Sequence, residues 1–129
     1  MSIDSKSLKV GLSSVIITPS EPVWLYGYGN KERFNPFEGK AHDIYANSIA
    51  FEDSSGEEYV IITLDLCVFR KKEADRAFKL VMEKTKLPFE NILINLSHTH
   101  SGPMIGAEDS GRYPISEEMA DRVNRYTDW

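Results

Sequence analysis

Two histidines stand one residue apart where an apolar run ends and a Gly-Pro pair follows. They are His98 and His100, and the chain has three histidines in all. Side chains alternate between the faces of a β-strand, so residues i and i+2 point the same way. A strand ending here would project both imidazoles into the space that the turn leaves open. Two imidazoles on one face can hold a transition metal, or one can bind metal while the other acts on substrate. The pair predicts a hydrolytic metal site.

The elements around this pair predict an α/β fold with a mixed sheet. Runs rich in apolar and β-branched residues predict strands over 8–18, 44–52, 58–66 and 92–97. The turn cluster 53–56 joins the second and third strands as an antiparallel hairpin. Apolar residues at helical spacing predict a helix over 71–86, which Pro88 stops. A second helix begins at Ser116, a typical N-cap residue followed by two glutamates.

The order strand, helix, strand over residues 58–97 predicts a right-handed crossover and parallel pairing. Ligands bind at the carboxyl ends of the strands in such a unit. Asp65 and His98 both stand near such ends in the sequence. The topology therefore supports a site at this edge of the sheet.

Composition narrows the classes of function. The chain has 129 residues, enough for one domain, and a formal net charge of −5, which argues against a nucleic-acid partner. Its one cysteine, Cys67, lies in an apolar run and is interpreted as a small buried hydrophobe. No run approaches the roughly 18 apolar residues of a membrane span. Residues 1–6 do not resemble a secretion signal, which predicts a cytoplasmic location, or secretion if the natural start lies upstream.

The string Leu-Ser-His-Thr-His-Ser-Gly-Pro at 96–103 resembles the histidine motif of the neutral/alkaline ceramidases, the non-lysosomal zinc amidases. Four other stretches resemble segments of that family in the same order: 10–19, 25–29, 41–46 and 63–66. The likeness is collinear over most of residues 8–129, and the histidine string is its most specific part. It implies a zinc-dependent hydrolase that cleaves the amide of N-acylated sphingoid bases, acting on an N-acyl lipid with contact to a membrane surface.

The resemblance also implies residue roles. His98 would be a zinc ligand through a neutral ring nitrogen, and His100 would face the scissile carbonyl and help hold the developing oxyanion. The residue types themselves give further interpretations. A functional one places His42 and Asp43 on the rim of the same pocket; alternatively, His42 is a loop histidine bonded to backbone. Asp65 would orient a ligand histidine, as carboxylates often do, or else cap the following helix or contact a loop.

The segment 25–29 has two interpretations. Gly27 would permit a tight backbone path, as would Gly29. Tyr28 and Tyr26 would line a groove for an acyl chain, although aromatic residues beside a turn are more often core.

The sequence departs from the family at two positions and lacks several of its functional residues. Asn47 stands where the family often has arginine, and Met104 where it usually has glycine. The family's nucleophilic serine, second histidine ligand, glutamate and tyrosine lie well downstream, so no nucleophile is assigned in this chain. Residues 1–129 are therefore predicted to be the N-terminal part of a larger catalytic domain, inactive alone. Two alternatives are an amidase or esterase for a small non-lipid substrate, and a non-catalytic remnant or binding module.

Overall fold

A computed structural model describes residues 8–29, 33–107 and 115–129. The elements in these ranges are four strands, two α-helices and a short 3-10 helix. The strands are β1 (Lys9–Ile16), β2 (Tyr45–Glu52), β3 (Glu58–Leu64) and β4 (Ile92–Leu96); the helices are α1 (Lys71–Thr85) and α2 (Glu117–Asp128), with the 3-10 turn at Phe89–Asn91. Residues 1–6, on which the prediction of location rests, lie outside the described ranges.

The strands form one mixed sheet in the order β1-β2-β3-β4. β1, β2 and β3 pair antiparallel, and β3 pairs parallel with β4 through the α1 crossover. The carboxylate of Asp53 closes the hairpin turn by accepting hydrogen bonds from the backbone N–H groups of Ser55 (2.8 Å) and Glu57 (3.0 Å). These pairings confirm the predicted α/β class, the hairpin and the parallel crossover.

Several elements end earlier than the sequence predicts, each for a local reason. α1 ends at Thr85 because Lys86 takes a left-handed backbone (φ 66°) and its N–H caps the carbonyl of Met82. The following Leu87 precedes proline, which disfavours helical backbone. β3 ends at Leu64 and β4 at Leu96. Leu64 and Leu96 are register partners, so the carboxyl ends of the two parallel strands lie side by side.

The main cluster of buried residues is formed by α2 and two loops rather than by α1. Its members are Trp24, Met104, Ala107, Met119 and Val123. By contrast, α1 has no fully buried residue, and Leu12 of β1 is 79% exposed. The amphipathic face predicted for α1 is therefore only partly covered: Ala74, Ala77, Phe78 and Val81 are half-buried and Met82 is exposed. Neither helix of the described ranges combines the length and apolar character that crossing a membrane requires.

The N-cap of α2 gives a direct test of this core. The Ser116 side chain accepts a hydrogen bond from the backbone N–H of Met119 (3.2 Å), and Met119 is a core residue. Ser116→Ala should lower the free energy of unfolding by about 1 kcal/mol, measured by chemical denaturation. Ser54→Ala, in an exposed turn, is the matched control and should have little effect. Equal stability of the two variants would mean that this cap does not stabilise the fold.

Candidate metal centre

The two histidines lie in the loop that follows β4, residues 97–103, called here the histidine loop. The interpretation that both project from a strand by alternation is wrong, because β4 ends at Leu96 and His98 has a left-handed backbone (φ 57°). The rings nevertheless converge: the two Nε2 atoms are 3.4 Å apart. A turn rather than a strand brings them together. A non-glycine residue with positive φ is unusual and is often found at functional sites.

The orientation of His98 is fixed by the segment that follows β3. Its Nδ1 lies 2.9 Å from the main-chain carbonyl oxygen of Cys67. A carbonyl oxygen only accepts, so Nδ1 is the donor in this contact, and in the neutral ring the lone pair is then on Nε2. Histidines that ligate metals typically donate their second ring N–H in this way, which fixes the tautomer and the ring plane. A metal ion at this site could therefore be held by Nε2 of His98.

The spacing of the two imidazoles fits a metal ion. Two nitrogen ligands at about 2.0–2.1 Å from a tetrahedral zinc ion are about 3.3 Å apart, close to the observed 3.4 Å. His98 is exposed and His100 half-buried, so both remain within reach of solvent and substrate. One possible donor atom from each of His98, His100 and Cys67 lies within 4.8 Å of the other two. The residues present therefore fit a metal such as zinc.

A segment that we call the strap, residues 23–29, holds His100 from the other side. It is joined to the histidine loop by backbone hydrogen bonds from Tyr26 N to Gly102 O (3.1 Å) and from Met104 N to Trp24 O (2.7 Å). Gly27 is buried with φ 103°, and a Cβ built there would lie 2.5 Å from His100 Cγ. Only glycine allows this approach.

The Tyr28 side chain also contacts His100. Its backbone is also left-handed (φ 61°), and its ring meets the His100 ring edge-on with centroids 4.8 Å apart. The guanidinium of Arg33 lies over the same tyrosine ring, 5.1 Å from its centroid. Tyr28 is 65% exposed. Tyr28 therefore lies at the solvent-exposed edge of the histidine pair, whereas Tyr26 packs against the buried cluster.

The other predicted site residues have structural partners. The Asp65 carboxylate accepts from the backbone N–H of Tyr45 (3.0 Å), so it contacts the start of β2 and neither caps α1 nor makes a described hydrogen bond to the histidines. His42 Nδ1 lies 2.9 Å from the Asp43 carbonyl, the backbone contact of its second interpretation. Asp43 accepts from Lys40 and from the hydroxyl of Thr18, and these hydrogen bonds lower its pKa.

Sequence reasoning missed the position of Cys67. The residue is buried as predicted, at 3% exposure, and burial raises the pKa of its thiol. Its Sγ, however, lies 3.9 Å from His98 Nδ1. Cys67 follows a strand that has a parallel neighbour, and this position in the sequence could have indicated that it lies near His98.

The two residues that depart from the family motif, Met104 and Asn47, have partners outside the metal centre. Met104 is 1% exposed and belongs to the core, and the Asn47 side chain accepts from the hydroxyl of Ser14 (2.7 Å) in the sheet. Neither side chain is among the donor atoms of the metal centre.

Comparisons with known proteins found likeness in structure but not in sequence families. No family model and no curated protein matches the chain. Among solved structures, neutral ceramidase from Pseudomonas aeruginosa matches with a TM-score of 0.67 and 21% identity, over 90% of this chain and 19% of that one. A ceramidase complexed with C2 matches with a TM-score of 0.67 and 20% identity over the same shares. The chain thus has a ceramidase-like fold and spans about a fifth of the length of these neighbours.

Gly27→Ala tests the contact between the strap and His100. The new methyl group collides with the imidazole and strains a positive-φ backbone, so we expect a loss of about 1–3 kcal/mol in stability and displacement of the His100 ring. NMR of the histidine side chains should show shifted His100 resonances and unchanged His42 resonances. Gly39→Ala is the matched control, since a Cβ there meets nothing within 4 Å. Unshifted His100 resonances in Gly27→Ala would contradict the close approach.

Proposed function

We propose that this chain supplies part of the metal centre of a ceramidase-like hydrolase that cleaves N-acyl amide bonds with zinc. The observation that carries the proposal is the pair of Nε2 atoms 3.4 Å apart, beside the carboxyl ends of the parallel strands β3 and β4. The ceramidase-like fold supports it, since 90% of the chain superimposes on neutral ceramidase.

His98 is the proposed metal ligand. Its Nδ1–H is held by the Cys67 carbonyl, so its Nε2 presents a lone pair without a change of tautomer. A zinc ion, when bound, polarises a substrate carbonyl and lowers the pKa of a bound water.

His100 has two candidate roles in the same site. It can ligate through Nε2, or donate a hydrogen bond to the oxyanion that forms on the carbonyl carbon, as the resemblance implies. Its position against Gly27 and Tyr28 restrains the ring for either role. The two roles are separable, because loss of a ligand weakens metal binding whereas loss of an oxyanion donor lowers kcat by about 10²–10³-fold.

The proposed substrate class is an N-acyl lipid such as ceramide. The solved neighbours are ceramidases, and the edge of the site is formed by an exposed aromatic ring, Tyr28, that an acyl chain can contact. We further propose that the nucleophile and the remaining ligands come from polypeptide outside these 129 residues, because the chain spans 19% of the neighbour's length.

The function is tested on the protein as its own cells make it, tagged at the genomic locus and purified. We expect hydrolysis of ceramide that a zinc chelator abolishes and added zinc restores. His98→Ala should lower the rate by at least about 100-fold, since even residues that only orient ligands cost about 10- to 100-fold. His42→Ala is the matched control, because that histidine is exposed and bonded to backbone, and it should retain full activity.

Three outcomes would contradict parts of the proposal. Turnover of short N-acyl amides or esters without ceramide would replace the lipid substrate by a small polar one. Ceramide turnover that survives His98→Ala would remove His98 as the ligand. Absence of any hydrolysis by a purified, zinc-loaded protein would favour a non-catalytic binding module.

A further inference from the structure

We propose that Tyr28 is a positioning residue for His100. Its ring holds the imidazole in place, and the strap keeps a strained backbone at residue 28 so that this ring stays there. The inference rests on the proposed function for the role of His100 and goes beyond it in naming a residue that acts through that histidine. Lining a groove for an acyl chain, as predicted from the sequence, would require no contact between Tyr28 and His100.

The backbone of the strap carries the first step. Three consecutive residues have positive φ: Gly27 (103°), Tyr28 (61°) and Gly29 (57°). Glycine adopts this region freely, whereas for a bulky side chain it is rare and unfavourable. The chain thus has glycine at the two outer positions and tyrosine at the middle one, where glycine would relieve the strain. Residues held in this way cluster at functional sites.

The surroundings of the Tyr28 side chain carry the second step. The residue is 65% exposed, so burial contributes little to keeping it there. In the described part of the chain its ring contacts the His100 ring, with centroids 4.8 Å apart, and the Arg33 guanidinium, 5.1 Å from the tyrosine centroid. The side chain is therefore placed against the histidine pair and not against the buried cluster.

These contacts restrict movement of the His100 ring. The strap backbone lies against the base of the ring, since a Cβ at Gly27 would be 2.5 Å from His100 Cγ. The Tyr28 ring stands at 79° to the imidazole, an edge-to-face geometry that aromatic pairs prefer, so rotation of the imidazole would lose this contact. The Arg33 cation over the tyrosine face restrains the tyrosine in turn. The result is that His100 Nε2 stays 3.4 Å from His98 Nε2.

Replacement of Tyr28 by glycine separates strain from function, tested on the zinc-loaded native protein purified as above. Tyr28→Gly exchanges the ring contacts for a relaxed backbone, so its unfolding temperature should stay within about 2 °C of wild type. It should nevertheless lower the quantity that His100→Ala lowers, zinc affinity for a ligand or kcat on ceramide for an oxyanion donor, by about tenfold or more. Tyr28→Phe keeps the ring and should retain most of the wild-type value.

Two further variants serve as controls. Lys86→Gly is the matched control, because Lys86 also has a left-handed backbone (φ 66°) but lies at the end of α1, before β4, whereas the histidines follow β4. It should leave zinc affinity and kcat at their wild-type values. The double variant Tyr28→Gly/His100→Ala should equal His100→Ala alone, because a residue that acts only through His100 has no effect once that imidazole is gone.

The outcomes separate this inference from the proposed function. Wild-type zinc affinity and kcat in Tyr28→Gly, with a loss in His100→Ala, would overturn the positioning role and leave His100 in the site. A rise in KM alone, or losses that multiply in the double variant, would mean that Tyr28 acts on substrate directly and would also overturn it. A clear fall in the unfolding temperature of Tyr28→Gly would contradict the strained backbone. No loss in His100→Ala would overturn both this inference and the proposed role of His100.

Discussion

The hydrogen bond between His98 Nδ1 and the carbonyl of Cys67 is the contact on which the candidate site depends. It joins the loop after β4 to the residues that follow β3, and parallel pairing of these strands brings the two segments together. The bond sets the tautomer of His98, the direction of its Nε2 and the place of Cys67 Sγ beside the ring. Gly102 adds to this closeness, because a Cβ there would lie 2.9 Å from the Asp65 carbonyl oxygen. One junction between strand ends therefore fixes most of the geometry.

The second support of the site comes from the buried cluster formed by α2 and two loops. Trp24, in the strap, and Met104, just after the histidine loop, pack with residues of α2. Burial of these two residues stabilises the backbone bridge between the strap and the histidine loop. This bridge keeps Gly27 close to the His100 ring. Packing of the buried cluster thus affects the position of the His100 side chain. The left-handed backbones of Tyr28 and His98 are maintained by this surrounding structure.

Much of the fold could be predicted from the sequence, because its signals are local. The hairpin follows from the turn residues at 53–56 and the start of α2 from Ser116, and both are confirmed; the end of α1 predicted from Pro88 lies one residue beyond the observed end at Thr85. The exact strand ends could not be predicted. Histidine tolerates a left-handed backbone but does not by itself indicate one, so the sequence suggested a strand through His98 where the chain has already turned.

The site was predictable in its principal pair but not in its supports. The convergence of His98 and His100 was expected, although by alternation along a strand and not by a turn. The places of Cys67 and Gly27 against these histidines depend on tertiary contacts between residues about 30 and 70 positions apart in sequence, which no local pattern encodes. Conversely, His42, Asp43 and Asp65 have polar types that suggest chemistry, yet in the fold they make hydrogen bonds that organise the start of β2.

The most direct test of the account is a zinc titration of the ¹⁵N-labelled chain, followed by NMR of the three histidine side chains. Without zinc, His98 should be the Nδ1–H tautomer, as its bond to the Cys67 carbonyl requires. Zinc should then shift the Nε2 resonance of His98, leave its Nδ1–H in place and leave His42 unchanged. A His98 protonated at Nε2 in the free chain, or zinc shifts that are equal at His42 and His98, would contradict the central claim that this loop is built to ligate a metal.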